Sequence, residues 1–328
     1  MKAFAYEEAH GLADFALTLR DVADPVPGPN DLLVSVRAFA CNPVDTKIRT
    51  IRSGSGGAPV ILGWDAAGVV QAVGADVTGF APGDQVYYAG DVTRAGSYAQ
   101  LQAVDHRLVA RKPATLDFAD AAALPLTSLT AHEAMLERGI VYDEESVVLI
   151  IGGAGGVGSM AIQLMKALTP ARIIAMAARP ETIVWAQAMG ADHVIGRALA
   201  QEIAALGLAG QLHAIFSTTH TSDYLADIPA LLRPFGHLMV IDDPASLEIK
   251  PFKQRALSVH WEYMFARAMF GQQPERQGAT LAQIASLVDA GKLRATRTRT
   301  LPASTDALRE THAALEAGTV MGKVVMVW

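Results

Sequence analysis

Residues 146–168 read Ser146-Val147-Val148-Leu149-Ile150-Ile151-Gly152-Gly153-Ala154-Gly155-Gly156-Val157-Gly158-Ser159-Met160-Ala161-Ile162-Gln163-Leu164-Met165-Lys166-Ala167-Leu168. A β-branched run ends at Ile151, five glycines fall within the next seven residues, and an apolar stretch with helical spacing follows to about Leu168. From Val147 to Met165 no residue is charged, close to the ~20 apolar residues that cross a bilayer. Glycines at that density disfavour a continuous helix and fit a sharp backbone turn, which argues against a membrane span. Strand, glycine turn and helix are, in that order, the parts a phosphate-cradling loop requires. The strand aims the loop, glycines let main-chain N–H groups approach oxygen, and the helix N-terminus supplies positive potential. The expectation is a dinucleotide diphosphate over Gly155, Gly156 and Val157, beside Gly153 and Ala154, with Gly158 allowing helix and strand to approach. A glycine-rich turn in an ordinary α/β unit would carry the same letters.

Downstream the rhythm continues. Arg172 to Met176 is a short strand, Pro180 suits the first position of a helix that stops at Gly190, and His193 to Ile195, Leu212 to Phe216 and Gly236 to Ile241 are further apolar strands. Strand–helix alternation builds a parallel sheet with right-handed crossovers. The second strand ends in Ala177-Ala178-Arg179-Pro180-Glu181, where NAD enzymes typically carry an acidic residue for the adenosine ribose. Small residues leave room there, and Arg179 suits a bidentate pair with a 2′-phosphate, so the charge logic favours NADPH. The alternative leaves Arg179 in solvent and gives the ribose to Glu181.

Upstream the first ~120 residues read as short strands separated by breakers such as Pro25 to Asn30, Gly54 to Pro59 and Ala81 to Asp84, a pattern of small barrels or sandwiches. Asp117 to Leu124 is helical, Pro125 interrupts, and Thr127 to Arg138 resumes. Leu281 to Asp289 and Thr305 to Ala317 are two more helices. Thr296 to Leu301 and Lys323 to Val327 are strands that could return to the first domain.

The chain has 328 residues, enough for two domains. With 27 Lys+Arg against 33 Asp+Glu it lacks the basic field of a general nucleic-acid binder. Its one cysteine, Cys41, excludes an intrachain disulfide framework and any zinc site that needs two or more cysteines. The N-terminus shows no apolar signal-peptide region, and both facts fit a cytoplasmic setting. None of the nine histidines forms a His-Glu-x-x-His pair, and no serine sits in a Gly-x-Ser-x-Gly elbow, so hydrolase chemistry lacks support.

Several motifs in register carry a resemblance over nearly the whole chain. They are Asn42-Pro43-Val44-Asp45, Gly63-Trp64-Asp65-Ala66-Ala67-Gly68-Val69-Val70, Pro82-Gly83-Asp84-Gln85-Val86, Ala122-Ala123-Leu124-Pro125 with Thr127 and Thr130-Ala131, Gly155-Gly156-Val157-Gly158, and Gly322-Lys323-Val324-Val325. Together they resemble the medium-chain dehydrogenase/reductase superfamily, in its zinc-free quinone-oxidoreductase branch. The segment Trp261 to Gln277-Gly278 resembles a zinc-type alcohol dehydrogenase-like subgroup. The resemblance implies a Rossmann doubly wound parallel sheet over residues 123–269 and a GroES-like β-barrel catalytic domain over residues 1–122 and 270–328. It also implies a homodimer through a sheet edge near Leu257 to His260, and a substrate cleft between the domains.

Against the zinc-containing relatives, Asn42 stands at the first Cys position and Trp64-Asp65 at the His-Glu pair, while the second Cys is absent. Cys41 reads as a small buried hydrophobe, leaving only Cys41, Asp65 and a distant His as an alternative donor set. Without a Lewis acid, a quinone or α,β-unsaturated carbonyl suits the site best, because the developing charge is delocalised. The resemblance places Asn42 near substrate or nicotinamide ribose and Thr127 at the nicotinamide end, with Ser217 and Ile241 as further cofactor contacts. Asp45 is expected to order its turn rather than abstract a proton. Lys47 stands where many relatives have Tyr, and either stabilises an oxyanion or is solvated. Trp64 and Phe265 are the candidate apolar walls for substrate, and Trp261 is expected in the core. His132, on the helix with Thr127, is the one histidine to look for near the cofactor. The reading is therefore an NADPH-dependent reductase of quinones or activated carbonyls. An alkenal C=C reductase and an NADPH-binding protein with little turnover remain as alternatives.

Overall fold

The computed structural model describes all 328 residues. Its strands in chain order are β1 (Lys2–Tyr6), β2 (Thr18–Asp21), β3 (Asp31–Ala40), β4 (Val60–Ile61), β5 (Ala66–Val73), β6 (Gln85–Tyr88), β7 (Leu101–Asp105), β8 (Val109–Arg111), β9 (Val147–Ile151), β10 (Arg172–Met176), β11 (His193–Ile195), β12 (Leu212–Ser217), β13 (Leu232–Val240), β14 (Ser258–Trp261), β15 (Arg297–Pro302) and β16 (Lys323–Val327). The helices used below are α1 (Pro43–Ile51), α2 (Phe118–Ala122), α3 (Pro125–Leu136), α4 (Gly156–Leu168) and α5 (Pro180–Ala188). The chain divides into two compact units, Met1–Leu129 with Phe265–Trp328, and Thr130–Met264.

The second unit holds a six-stranded, all-parallel sheet in the order β11-β10-β9-β12-β13-β14. Strand order reverses between β9 and β12, the arrangement whose carboxyl edge accepts dinucleotides. β9, Val147-Val148-Leu149-Ile150-Ile151, is buried along its full length, as a strand covered on both faces must be. Leu149, Ile174, Ile215, Leu238 and Val240 form its core with Ile203. The uncharged run Val147 to Met165 thus resolves into a strand, a loop and a 13-residue helix. No helix is long and apolar enough to cross a membrane.

The first unit is built on β3, which pairs with β5, β7 and β16, all antiparallel. β6 and β8 extend the sheet on one side, and β15 joins β16 in parallel on the other. The last two strands come from the C-terminal end of the chain, so residues around 40 and 325 lie side by side: Val325 pairs with Ala40. A smaller sheet, β2-β1-β4, completes the unit.

One local expectation needs correction: Asn42-Pro43-Val44-Asp45 is the start of a nine-residue helix, α1, with Pro43 at its first position. Pro125 falls, as expected, at a break between two helices, after α2, and opens the second of them, α3. The physical reason is the same, since proline's fixed φ and missing N–H suit a helix's first turn.

Candidate functional site

In the second unit the glycine loop follows β9 directly. Gly152 has φ +79°, a left-handed conformation that favours glycine. A Cβ at Gly158 would stand 2.2 Å from the carbonyl oxygen of Gly152, so only glycine lets α4 lie this close to the end of β9. α4 begins at Gly156 with Gly155 in extended conformation as its cap. First-turn N–H groups of a helix have no acceptor of their own within it, so those of Gly156, Val157 and Gly158 are presented together with the positive end of the helix. Gly153 donates to the carbonyl of Met176 (3.0 Å), which ties the loop to the end of β10.

Three further cofactor candidates, Arg179, Ser217 and Ile241, lie along the same edge. Ser217 pairs in register with Ile151 and with Val240, and Ile241 donates to the carbonyl of Ser217. The Ser217 side chain is fully buried and bonded to Thr221 Oγ1 at 2.7 Å, and Thr221 is in turn held by Asp242. Arg179 caps α5, and its Nε lies 2.8 Å from Glu181 Oε1. The two side chains weighed as alternatives for the ribose end are therefore an ion pair. His132 lies 3.2 Å from Glu137.

The first unit contains a second centre, made of side chains. Asn42, Asp65 and Lys323 are each at most 3% exposed. The Lys323 ammonium donates to Asn42 Oδ1 (2.5 Å), Asp65 Oδ2 (2.8 Å) and the carbonyl of Cys41 (3.0 Å). Asn42 Nδ2 donates to Asp65 Oδ2 at 2.8 Å, and the N–H of Leu126 donates to Asp65 Oδ1 at 2.7 Å. Asp65 thus caps the N-terminus of α3, on which Thr127 sits. Burial raises the Asp65 carboxyl above the ordinary range, and Lys323 opposes that shift. Burial also pushes the Cys41 thiol up to about 12, leaving a neutral sulfur without thiolate character.

A hydrogen-bonded chain leads away from this centre. The N–H of Asn42 and the hydroxyl of Tyr98 both donate to Asp45 Oδ2, at 2.8 and 2.7 Å. Asp45 therefore orders the start of α1, as expected. Tyr98 meets His312 Nε2 at 3.3 Å, His312 Nδ1 accepts from Arg49 at 2.9 Å, and Arg49 reaches Glu316. An arginine has only donors, so His312 presents a bare Nδ1 to it, donates from Nε2 to Tyr98, and Tyr98 donates to Asp45. Burial raises Asp45 to about 7 and lowers His312 to about 3.

Sequence reading named Asn42, Trp64-Asp65 and Thr127, and the structure brings Asn42, Asp65 and the start of α3 together. It did not foresee the lysine that joins them, although Lys323 lay in a quoted motif. Tyr98, Arg49 and His312 were also missed. Asp45 and Arg49, four apart and on one face of an amphipathic helix, were the available signal. Thr127 is buried and donates to the carbonyl of Leu124 at 3.0 Å. Lys47 is on the exposed side of α1. Trp64 is fully buried, donates to the carbonyl of Asp91 and meets the edge of Phe265 at 6.1 Å, so both rings pack within this unit. Trp261, expected in the core, is 53% exposed, whereas Phe265 is 2% exposed. Trp261 closes the edge strand β14, whose outer side has no neighbouring strand to cover it.

Residues 28–114 match the alcohol dehydrogenase GroES-like domain and residues 189–326 the zinc-binding dehydrogenase family. A solved structure of a candidate zinc-dependent alcohol dehydrogenase from Rhizobium etli is 45% identical, covering 100% of this chain and 98% of that one, with a TM-score of 0.95. A zinc-type alcohol dehydrogenase-like protein of Staphylococcus aureus is 34% identical with 99% of each chain covered. The chain belongs to the medium-chain dehydrogenase/reductase superfamily. As a member it is an oxidoreductase with a GroES-like domain and a Rossmann sheet. Other superfamily members like it include the quinone oxidoreductase of Coxiella burnetii, at 26% identity, 100% and 99% coverage and a TM-score of 0.82. A tomato 2-methylene-furan-3-one reductase is 38% identical over 60% of this chain and 52% of its own length.

The zinc of the superfamily's zinc enzymes does not fit the residues present. At the positions where the resemblance puts its ligands and their neighbour stand an amide, an indole committed to Asp91 and a carboxylate. No His, Cys, Asp and Glu group of three or more is arranged to hold a metal. The oxygens of Asn42 and Asp65, with the Cys41 carbonyl, already satisfy the three N–H bonds of one ammonium.

Proposed function

We propose that this oxidoreductase uses NADPH to reduce a quinone or another activated carbonyl, without a catalytic metal. The observation that carries the reading is the loop at the carboxyl edge of β9. Gly152, Gly153 and Gly158 are sterically required, and the loop offers consecutive N–H groups at a helix start, beside Ser217 and Ile241. Bound reduced nicotinamide would supply hydride. The chain's own share is to hold the diphosphate on residues 153–157 and, through Arg179, to meet a 2′-phosphate once its guanidinium turns from Glu181. We assign Asn42 and Thr127 an orienting share on the substrate side, since both are buried and bonded to protein. Lys47 is the remaining side chain for an oxyanion, and Trp64 and Phe265 form the apolar packing behind. An acceptor that delocalises its negative charge needs only water or a weak acid to complete protonation.

A second reading, reduction of an alkenal C=C bond, is favoured by likeness to an Arabidopsis thaliana protein named NADPH-dependent alkenal/one oxidoreductase, 37% identical over 60% of this chain and 52% of its own length. Steady-state consumption of NADPH with a quinone and with an alkenal separates the two. Faster turnover with the quinone supports the first reading, and faster turnover with the alkenal the second. Tight NADPH binding without consumption by either would leave a nucleotide-binding protein.

A further inference from the structure

We infer that Lys323 is the resident cation of the first unit's buried centre, filling the oxygens of Asn42, Asp65 and Cys41 so that no zinc ion binds among them. The inference stands apart from the hydride-transfer reading, because its tests read metal content and stability rather than turnover.

The geometry is that of a filled cation site. An ammonium has three N–H bonds, and three oxygens of different origin surround it, one from an amide, one from a carboxylate and one from the main chain. Each belongs to a segment that needs fixing. Cys41 follows β3, Asn42 caps α1, and Asp65 precedes β5 and caps α3 through Leu126. β16 carries Lys323 to that point because Val325 pairs with Ala40. The single positive charge also determines which way the Asn42 amide faces, since its oxygen must meet Lys323 and its nitrogen Asp65. Asp65 then sits between an ammonium, an amide N–H and a helix N-terminus, a set of donors suited to a carboxylate rather than a carboxylic acid. A zinc ion could enter only by displacing the ammonium, and the donors it would then find include neither thiolate nor imidazole.

Four proteins test this: wild type, Lys323→Met, Asp65→Asn, and the double variant Asp65→Asn/Lys323→Met. Wild-type protein incubated with zinc salt and dialysed is expected to retain well under one zinc per chain by atomic emission. Lys323→Met leaves Asp65 as a buried uncompensated charge, and its melting temperature is expected to fall by about 5 °C or more. The double variant removes both charges and is expected to recover at least half of that loss. Should Lys323→Met fail to yield folded protein while the double variant folds, the coupling is demonstrated all the same. Three results overturn the inference. They are one zinc per wild-type chain that Asp65→Asn abolishes, a Lys323→Met protein that melts with wild type, and a double variant no more stable than Lys323→Met.

Discussion

The glycine loop of the second unit and the polar centre of the first solve the same problem, placing charge-complementary groups at a fixed point, by opposite means. The loop uses main-chain N–H groups within a few consecutive residues, and its side chains contribute chiefly by being absent. The centre uses side chains whose partners are 258 and 281 residues apart in sequence. A main-chain site depends on backbone geometry and tolerates no added atoms. A side-chain site depends on charge balance, and removing one member leaves the others buried and unpaired. The two should therefore fail differently.

The largest effect is expected in the side-chain centre. Asp65→Ala strands Lys323 without its counter-ion and the N–H of Leu126 without its acceptor, and should cost about 3–5 kcal/mol, read by denaturant unfolding. A loss under ~1 kcal/mol would place the centre among exposed pairs instead. Next comes the loop. Gly158→Ala sets a Cβ 2.2 Å from the Gly152 oxygen and should cost about 1–3 kcal/mol, together with most of the NADPH affinity. Unchanged binding in a folded Gly158→Ala protein would detach the loop from the cofactor.

A third prediction sharpens the contrast through pH. Asp45 titrates near 7 when folded, against 3.8 in the unfolded chain. The folded state holds the extra proton, so this group's contribution falls as pH rises from about 4 to 7. His312 titrates near 3 when folded, against 6.5 unfolded. Its contribution is intact above 6.5 and is lost as pH falls toward 3. The two slopes oppose each other across one tyrosine, and wild-type stability should vary little between pH 4 and 6.5 on their account. Asp45→Asn should uncover the histidine slope, with stability rising with pH, and His312→Gln the opposite slope. Thermal melts at pH 4.5 and 6.5 check both, and parallel shifts at the two pH values would refute the pairing. A smaller effect belongs to the ribose end of the loop. Arg179→Ala should raise KM for NADPH about tenfold and leave NADH nearly unchanged, consistent with a charge-assisted pair of about 1.5 kcal/mol. The smallest is Lys47→Ala, which on its exposed helix face should alter stability by under ~0.5 kcal/mol.

The same contrast explains what could be read from the sequence. The strand–loop–helix of residues 146–168, the helix from Pro180 and the short strands after it are encoded locally, in hydrophobic period and in glycine and proline positions. Their bounds follow closely, as with Arg172–Met176 and His193–Ile195. Asn42 and Asp65 could be named from motif spacing, but Lys323 could not be given a role. Its partners are set by β16 lying against β3, a fact of tertiary pairing. Burial around β14 failed for the same reason. Trp261 and Phe265 are both aromatic and four residues apart, yet Trp261 lies on the uncovered edge strand while Phe265 packs against Trp64.

The most direct measurement is calorimetric titration of the wild-type protein with NADPH and with NADH. The account predicts saturable binding of one NADPH per chain, tighter than NADH, and weakened by Arg179→Ala. Absence of binding by either coenzyme to folded protein would contradict it.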